Sequence, residues 1–148
     1  MKTGKMDKVA AVAKIAEQLS ARELGQARQS HQEKSAKLEQ LIQFRSDYEA
    51  GLGAKGGQGM PAKQLQDYRI FLSKLSDAIA QQTREVDASD EQLGKVRAQW
   101  RSKSQRKSAL DHLVEERHKS ELQAKDKAEQ KESDENTMAR RMLNLDRG

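Results

Sequence analysis

The 148-residue sequence has no cysteine, a single proline, two Phe, two Tyr and one Trp. Without cysteine there is no disulfide, no thiolate nucleophile and no thiolate metal site. Only 34% of the residues are hydrophobic against 34% charged, which leaves too little apolar material for an ordinary compact core. β-Branched residues are few, so no sheet is expected. Ala, Leu, Glu, Gln, Lys and Arg dominate instead, the composition of long helices and coiled coils. Long apolar runs are also missing. The stretch Val9-Ala10-Ala11-Val12-Ala13, preceded by Lys2, Lys5 and Lys8, resembles the start of a secretory leader, but Asp7, Lys14 and Glu17 cut it far short of a membrane-inserting segment. It reads as the first turns of a helix. A chain this charged is disordered unless a hydrophobic period is sustained along it.

Such a period is present. Nine Gly occur, five of them within Gly51-Leu52-Gly53-Ala54-Lys55-Gly56-Gly57-Gln58-Gly59, and Pro61 follows. Glycine ends a helix by taking positive φ, and proline suits a helix start because its missing N–H has no partner there. The expected organisation is one coiled-coil domain over 1–148, with a first helix over about 5–50, a glycine-rich turn at 51–60 and a second helix over about 61–145. In the second helix, alternating steps of three and four run from Leu65 through Tyr68, Leu72, Leu75, Ile79, Gln82, Val86, Ser89, Leu93, Val96, Trp100, Lys103, Lys107, Leu110 and Val114. This is a heptad seam. The same phase continues through Arg117, Glu121, Ala124, Ala128, Lys131 and Glu135 to Met138, Met142 and Leu145. The first helix keeps one phase from Leu24 through Ala27, His31, Lys34, Leu38, Leu41, Arg45 and Tyr48, with Val9, Val12, Ala16 and Leu19 shifted by one residue before it. That shift implies a local change of winding near Glu23.

Two amphipathic helices joined by a short turn bury their stripes by folding back on each other. The expected fold is therefore all-α, a two-helix antiparallel coiled-coil hairpin whose second helix is much longer than the first. With Tyr48 opposite Leu65, Lys5 falls near Ser108 and the segment 110–148 overhangs. At ~1.5 Å per residue the paired part is roughly 65 Å long and the second helix over about 120 Å. A two-stranded pairing of this kind encloses no substrate cavity, which favours an adaptor over an enzyme.

Chemical motifs are not supported by their context. Gly51-Leu52-Gly53-Ala54-Lys55-Gly56 satisfies GxGxxG, but a dinucleotide site needs a strand before the turn and a helix stands there. No GxxxxGK[ST] loop occurs. His31, His112 and His118 share no i, i+4 spacing with one another, and a helix face supplies no pocket to shift a catalytic pKa. No catalytic residue, cofactor, metal or small-molecule substrate is expected. The net charge of +5 is spread over mixed signs, except for the acid-free stretch holding Lys95, Arg97, Arg101, Lys103, Arg106 and Lys107. In a basic-zipper protein such a stretch precedes the seam, whereas this one lies within it, so it reads as a solvated face and not a nucleic-acid site.

Apolar residues outside the seam are more informative. Leu41, Phe44 and Tyr48 run at i, i+3, i+7 on one helix, and Phe71, Leu75 and Ala78 do so on the other. Phe44 and Phe71 are off the heptad positions, so they either cover the seam's edges or form a partner site on the surface near the hinge. At the far end Met138, Met142, Leu143 and Leu145 follow a nearly continuous polar stretch. That segment either frays or docks elsewhere, a use to which flexible Met side chains are suited.

Together these features resemble the FliJ family of flagellar export proteins. The resemblance rests on Leu41-Ile42 with Phe44 and Tyr48, the glycine hinge, Tyr68 with Phe71-Leu72 and Leu75, Ala78-Ile79 with Gln81-Gln82, Trp100-Arg101 and the basic run into Leu110, and Glu129-Gln130-Lys131 with Asp134-Glu135. It implies a non-catalytic part of the bacterial flagellar type III export apparatus. In that family a stalk-like hairpin binds the hexameric export ATPase, promotes its assembly, links it to the cytoplasmic domain of the large membrane export-gate protein, and escorts export chaperones. The gate-binding surface so implied is Lys37, Leu41, Phe44, Tyr48, Phe71, Leu75, Ala78 and Gln82, and Met138, Met142, Leu143 and Leu145 are candidates for contact at the terminal end. The implied location is the cytoplasm, peripherally at the cytoplasmic face of the membrane at the flagellar base. The alternatives are the stalk of a virulence-type secretion ATPase and a self-associating structural coiled coil. A hairpin that satisfies its own seam is expected to be monomeric alone.

Overall fold

The computed structural model describes residues 4–56 and 59–146. It contains two helices, α1 (Gly4–Gly56, 53 residues) and α2 (Ala62–Asp146, 85 residues), and no strand among the described residues. The expected all-α hairpin is what forms, with the second helix the longer. Leu65 N–H donates to the Pro61 carbonyl at 3.0 Å, so Pro61 opens α2 where its own missing N–H is no loss. Gly59 has φ +74°, the one left-handed residue among those described and the point where the chain reverses.

The turn is tighter than the glycine cluster implied. Helix α1 does not stop near residue 50 but runs through Gly51 and Gly53 to Gly56; residues 57–58 of the expected turn lie outside the described residues. Glycine permits a helix to end but does not force it, and only a residue needing positive φ must be glycine. No atom lies within 4 Å of a Cβ added at Gly51, Gly53, Gly25 or Gly94. Gly94→Ala should therefore raise unfolding free energy by about 0.5 to 1 kcal/mol, while Gly59→Ala should lower it by about 1 to 2 kcal/mol because its conformation is left-handed. Urea titrations followed by circular dichroism measure both; equal effects of the same sign would contradict the assignment.

Two compact units are built from these helices, and each helix contributes to both. The first is Glu17–Lys103. Within it the α2 seam is as the heptad step predicts: Leu65, Tyr68, Leu72, Leu75, Ile79, Gln82, Val86, Ser89, Leu93, Val96 and Trp100 are all buried or half-buried. Leu24, Leu93 and Val96 form its hydrophobic centre, with Ala27 and Trp100 against them. The Trp100 indole N–H donates to Glu17 Oε1 at 3.0 Å. Polar seam residues are paired across the helices: Gln82 Nε2 donates to the Lys34 carbonyl at 2.9 Å, and His31 Nδ1 lies 2.9 Å from Ser89 Oγ. The Ser89 hydroxyl also lies within donating distance of the Val86 carbonyl, at 2.8 Å, so it links the His31 ring to the α2 backbone. No buried side-chain N or O atom among the described residues lacks a partner, as expected where an unpaired polar group would be costly.

The second unit is Met1–Ala16 with Ser104–Gly148. Ala10 and Ala13 are its buried residues on α1, while Val9, Val12 and Ile15 are 41%, 65% and 58% exposed. This corrects the shifted phase expected for Val9, Val12, Ala16 and Leu19. Stepping back from Leu24 by four and three lands on Ser20, Glu17, Ala13 and Ala10, all buried or half-buried, so the heptad continues without a slip near Glu23. The inward face therefore does not follow side-chain size on α1: the larger Val9, Val12 and Ile15 stay outside while Ala10 and Ala13 are buried. On α2 the inward position moves from Lys103, which is exposed, to Ser104.

Pairing in this unit also runs further than expected. Leu110 and Val114 are half-buried, and His118 Nε2 approaches Asp7 Oδ1 at 3.5 Å. The unpaired part of α2 therefore begins beyond His118 and not at 110. All residues from 115 to 146 are exposed; residues 147–148 of the expected overhang lie outside the described residues. No helix among the described residues is long and apolar enough to cross a membrane.

Candidate partner-binding site

Both Phe and both Tyr of the chain meet at the hinge end of the first unit. Helix α1 supplies Phe44 and Tyr48, one turn apart, and α2 supplies Tyr68 and Phe71. Tyr48 is the centre, with its ring centroid 4.6 Å from both Tyr68 and Phe71. Phe44 completes the group, 6.1 Å from Phe71 in an edge-on arrangement and 6.3 Å from Tyr48. These are favourable aromatic separations and orientations. Tyr48 and Tyr68 occupy seam positions and are half-buried, whereas Phe44 and Phe71 remain 50% and 37% exposed. The two alternatives for the off-seam Phe residues thus merge: each covers an edge of the seam with one side of its ring and offers the other to solvent.

The residues nominated from the sequence divide into two groups. Lys37, Phe44, Phe71 and Ala78 are exposed, and Leu41 and Tyr48 are half-buried beside them. Leu75 and Gln82 are 7% and 4% exposed. They do not belong to the surface: Leu75 is core, and the Gln82 amide is committed to the Lys34 carbonyl. A seam position cannot face both the partner helix and a second protein. Tyr68 is the member not nominated from the sequence: the heptad step sets it on the seam, but with Leu65 opposite Tyr48, and the 4.6 Å approach of Tyr68 to Tyr48 follows from the register of the two helices.

The terminal candidates lie in the other unit. Met138, Met142, Leu143 and Leu145 are 64%, 63%, 64% and 79% exposed on the unpaired end of α2. Among the described residues no group of three or more His, Asp or Glu is arranged to hold a metal. The fold defines the class: an all-α two-helix hairpin with a half-exposed aromatic cluster, whose buried side-chain N and O atoms among the described residues are all paired.

The comparisons with known proteins show its family. The family model described as "Flagellar FliJ protein" matches residues 1–144, and the chain belongs to this family. It is similar to the flagellar FliJ proteins of Salmonella typhi and Escherichia coli (strain K12), at 28% identity over 116 residues in each case, covering 78% of this chain and 79% of each relative. No solved structure matches it. Family membership makes the chain a component of the flagellar export apparatus, acting in flagellum biogenesis, protein export and motility.

Proposed function

We propose that this chain is a non-catalytic, stalk-like subunit that binds the hexameric flagellar export ATPase, promotes its assembly and links it to the cytoplasmic domain of the large membrane export-gate protein. The observation that carries the reading is the aromatic cluster of Phe44, Tyr48, Tyr68 and Phe71, which keeps two phenyl rings half-exposed on a chain of this family. Aromatic anchors of this kind dominate binding energies at interfaces. In this reading the cluster faces the gate, and the start of α1 with the unpaired end of α2, including Met138, Met142, Leu143 and Leu145, faces the ATPase. The protein acts in the cytoplasm, held peripherally at the membrane by the gate, and escorts export chaperones from there.

The physical basis for an effect on the ATPase is differential binding. One asymmetric hairpin cannot contact six subunits identically, so it stabilises the subunit conformations it binds best and draws subunits into a ring. The family match favours the flagellar ATPase over a virulence-type one. Steady-state ATPase rate, measured with and without the purified chain over a range of ATPase concentrations, tests this. Stimulation should be largest where the ring is sparsely assembled; no stimulation at any concentration would overturn the proposal.

A further inference from the structure

Near its start, α1 buries its smaller side chains and leaves the larger ones outside. In the unit formed by Met1–Ala16 and Ser104–Gly148, Ala10 and Ala13 are buried, while Val9 and Val12, the residue just before each, are exposed. On α2 the residues just before half-buried Leu110 and Val114 are Ala109 and Leu113, both exposed, Leu113 at 49%. In an antiparallel pair the residue before a seam position falls on the same side of both helices, because the two-fold axis relating the helices passes through that side. Phe44 and Phe71, which precede the seam residues Arg45 and Leu72, show this in the other unit, where their ring centroids are 6.1 Å apart. Counting from the contact of Asp7 with His118 sets Val12 level with Leu113 and Ala16 level with Ala109. Val9, Val12, Ala16, Ala109 and Leu113 thus line one open groove along the side of the pair.

We infer that this groove docks an acidic amphipathic helix of another protein, which packs along it as a third strand of the coiled coil. The spacing suits a helix. Val9, Val12 and Ala16 step by three and four on α1, and Ala109 and Leu113 by four on α2, so apolar side chains of a helix lying along the pair enter between them. The charge at the rim selects an acidic one. Lys5 and Lys8 lie one turn before Val9 and Val12, and Arg106 lies one turn before Ala109. All three are exposed, and none makes an ion pair among the described residues. One acid, Glu116, stands at this rim, level with Val9. The acids of α2 nearest Arg106 are on the opposite side: Asp111 and Glu115 come just after Leu110 and Val114, and Asp111 Oδ2 is 3.9 Å from Lys107 Nζ.

Two other occupants fit this chemistry less well. A second copy of the chain brings the same Lys5, Lys8 and Arg106 to the groove, and like charges at the rim oppose that pairing. An anionic membrane surface takes up a long apolar face that projects outward. Here the stripe from Val9 to Ala16 is only roughly 10 Å long, and Ala16 is half-buried between the helices. The inference concerns the recognition chemistry at the start of α1 and does not rest on the export-ATPase reading: an acidic helix can bind where ATPase stimulation fails, and the reverse.

The test is fluorescence anisotropy of a labelled peptide of about four heptads, with leucine at a and d and glutamate at e and g, titrated with the full-length protein. Binding should saturate, weaken several-fold as salt is raised from about 0.05 to 0.5 M, and be about tenfold weaker for the same peptide with lysine at e and g. Val12→Glu and Leu113→Glu should each weaken it by roughly tenfold. Ile15→Glu adds the same charge to α1 at another exposed position, two residues past Ala13 and so facing away from the pair, and should change binding by less than about threefold. Circular dichroism of each variant checks that the helices are kept. Equal weakening by Ile15→Glu and Val12→Glu overturns the inference, as does equal binding of the two peptides or no binding of either. Binding to phosphatidylglycerol vesicles that Val12→Glu abolishes also overturns it, by assigning the groove to a membrane, and a dimer in sedimentation velocity that Val12→Glu dissolves does so by assigning it to a second copy.

Discussion

Replacing both Phe44 and Phe71 by alanine should weaken binding to the cytoplasmic domain of the export gate by about 2 kcal/mol or more, roughly thirtyfold in Kd, while leaving both helices formed. The two rings offer their free sides to solvent in the isolated chain, at 50% and 37% exposure, so half of Phe44 and more than a third of Phe71 are not used by the hairpin itself. Their inner sides do contribute, through contact with Tyr48 and with each other, and each aromatic pair contributes about 0.5 to 1.5 kcal/mol. Some loss of thermal stability therefore accompanies the binding defect, but helical content at room temperature should be nearly unchanged. Isothermal titration with the purified gate domain, alongside circular dichroism, separates the two. Unchanged affinity with intact helices would remove the cluster from the gate interface, and loss of helix would show that the rings are core. Gln82→Ala is the contrasting variant. Its amide is bonded to the Lys34 carbonyl inside the seam, so it should affect stability more than affinity.

Leu93→Ala is expected to have the largest effect on stability, about 2 to 4 kcal/mol. Leu93 is 7% exposed and packs with Leu24 and Val96 beside Ala27 and Trp100. A two-helix pairing has few such residues, and with only a thin layer of neighbours each one removed is a large fraction of the total. Leu122→Ala, at a side chain 60% exposed, should change stability by less than about 0.5 kcal/mol. Urea unfolding of the two variants beside wild type provides the comparison. Similar midpoints for both would mean that the Leu24, Leu93 and Val96 cluster does not hold the helices together.

The uneven legibility of the sequence has physical causes that show at particular residues. The seam of α2 from Leu65 to Trp100 was readable because large apolar side chains recur there with the helical period, and a helix can bury that stripe in only one direction. Phe44 and Phe71 were identifiable as surface residues for the same reason: they fall outside the stripe. On α1 before Leu24 the rule misleads. The larger residues Val9, Val12 and Leu19 suggested a shifted phase, yet Ala10, Ala13 and Ser20 are the buried ones. Of the gate surface implied by family resemblance, Leu75 and Gln82 lie buried on the seam, because a resemblance names residues without separating seam from surface.

By itself the sequence determined that this chain is two helices with one reversal, because composition excludes a sheet, the heptad demands a partner helix, and five glycines followed by the single proline, Pro61, make the one obvious break in the pattern. It also determined the charge pattern of the unpaired end, which is a property of residue order alone. Only the tertiary structure decided where α1 stops, which of two neighbouring faces of α1 turns inward, that pairing extends to Asp7 and His118, and that three aromatic rings from two helices converge on Tyr48. Each of these depends on the height at which one helix meets the other. That height is set by side chains more than fifty residues apart in places, such as His31 with Ser89, and no local pattern records it.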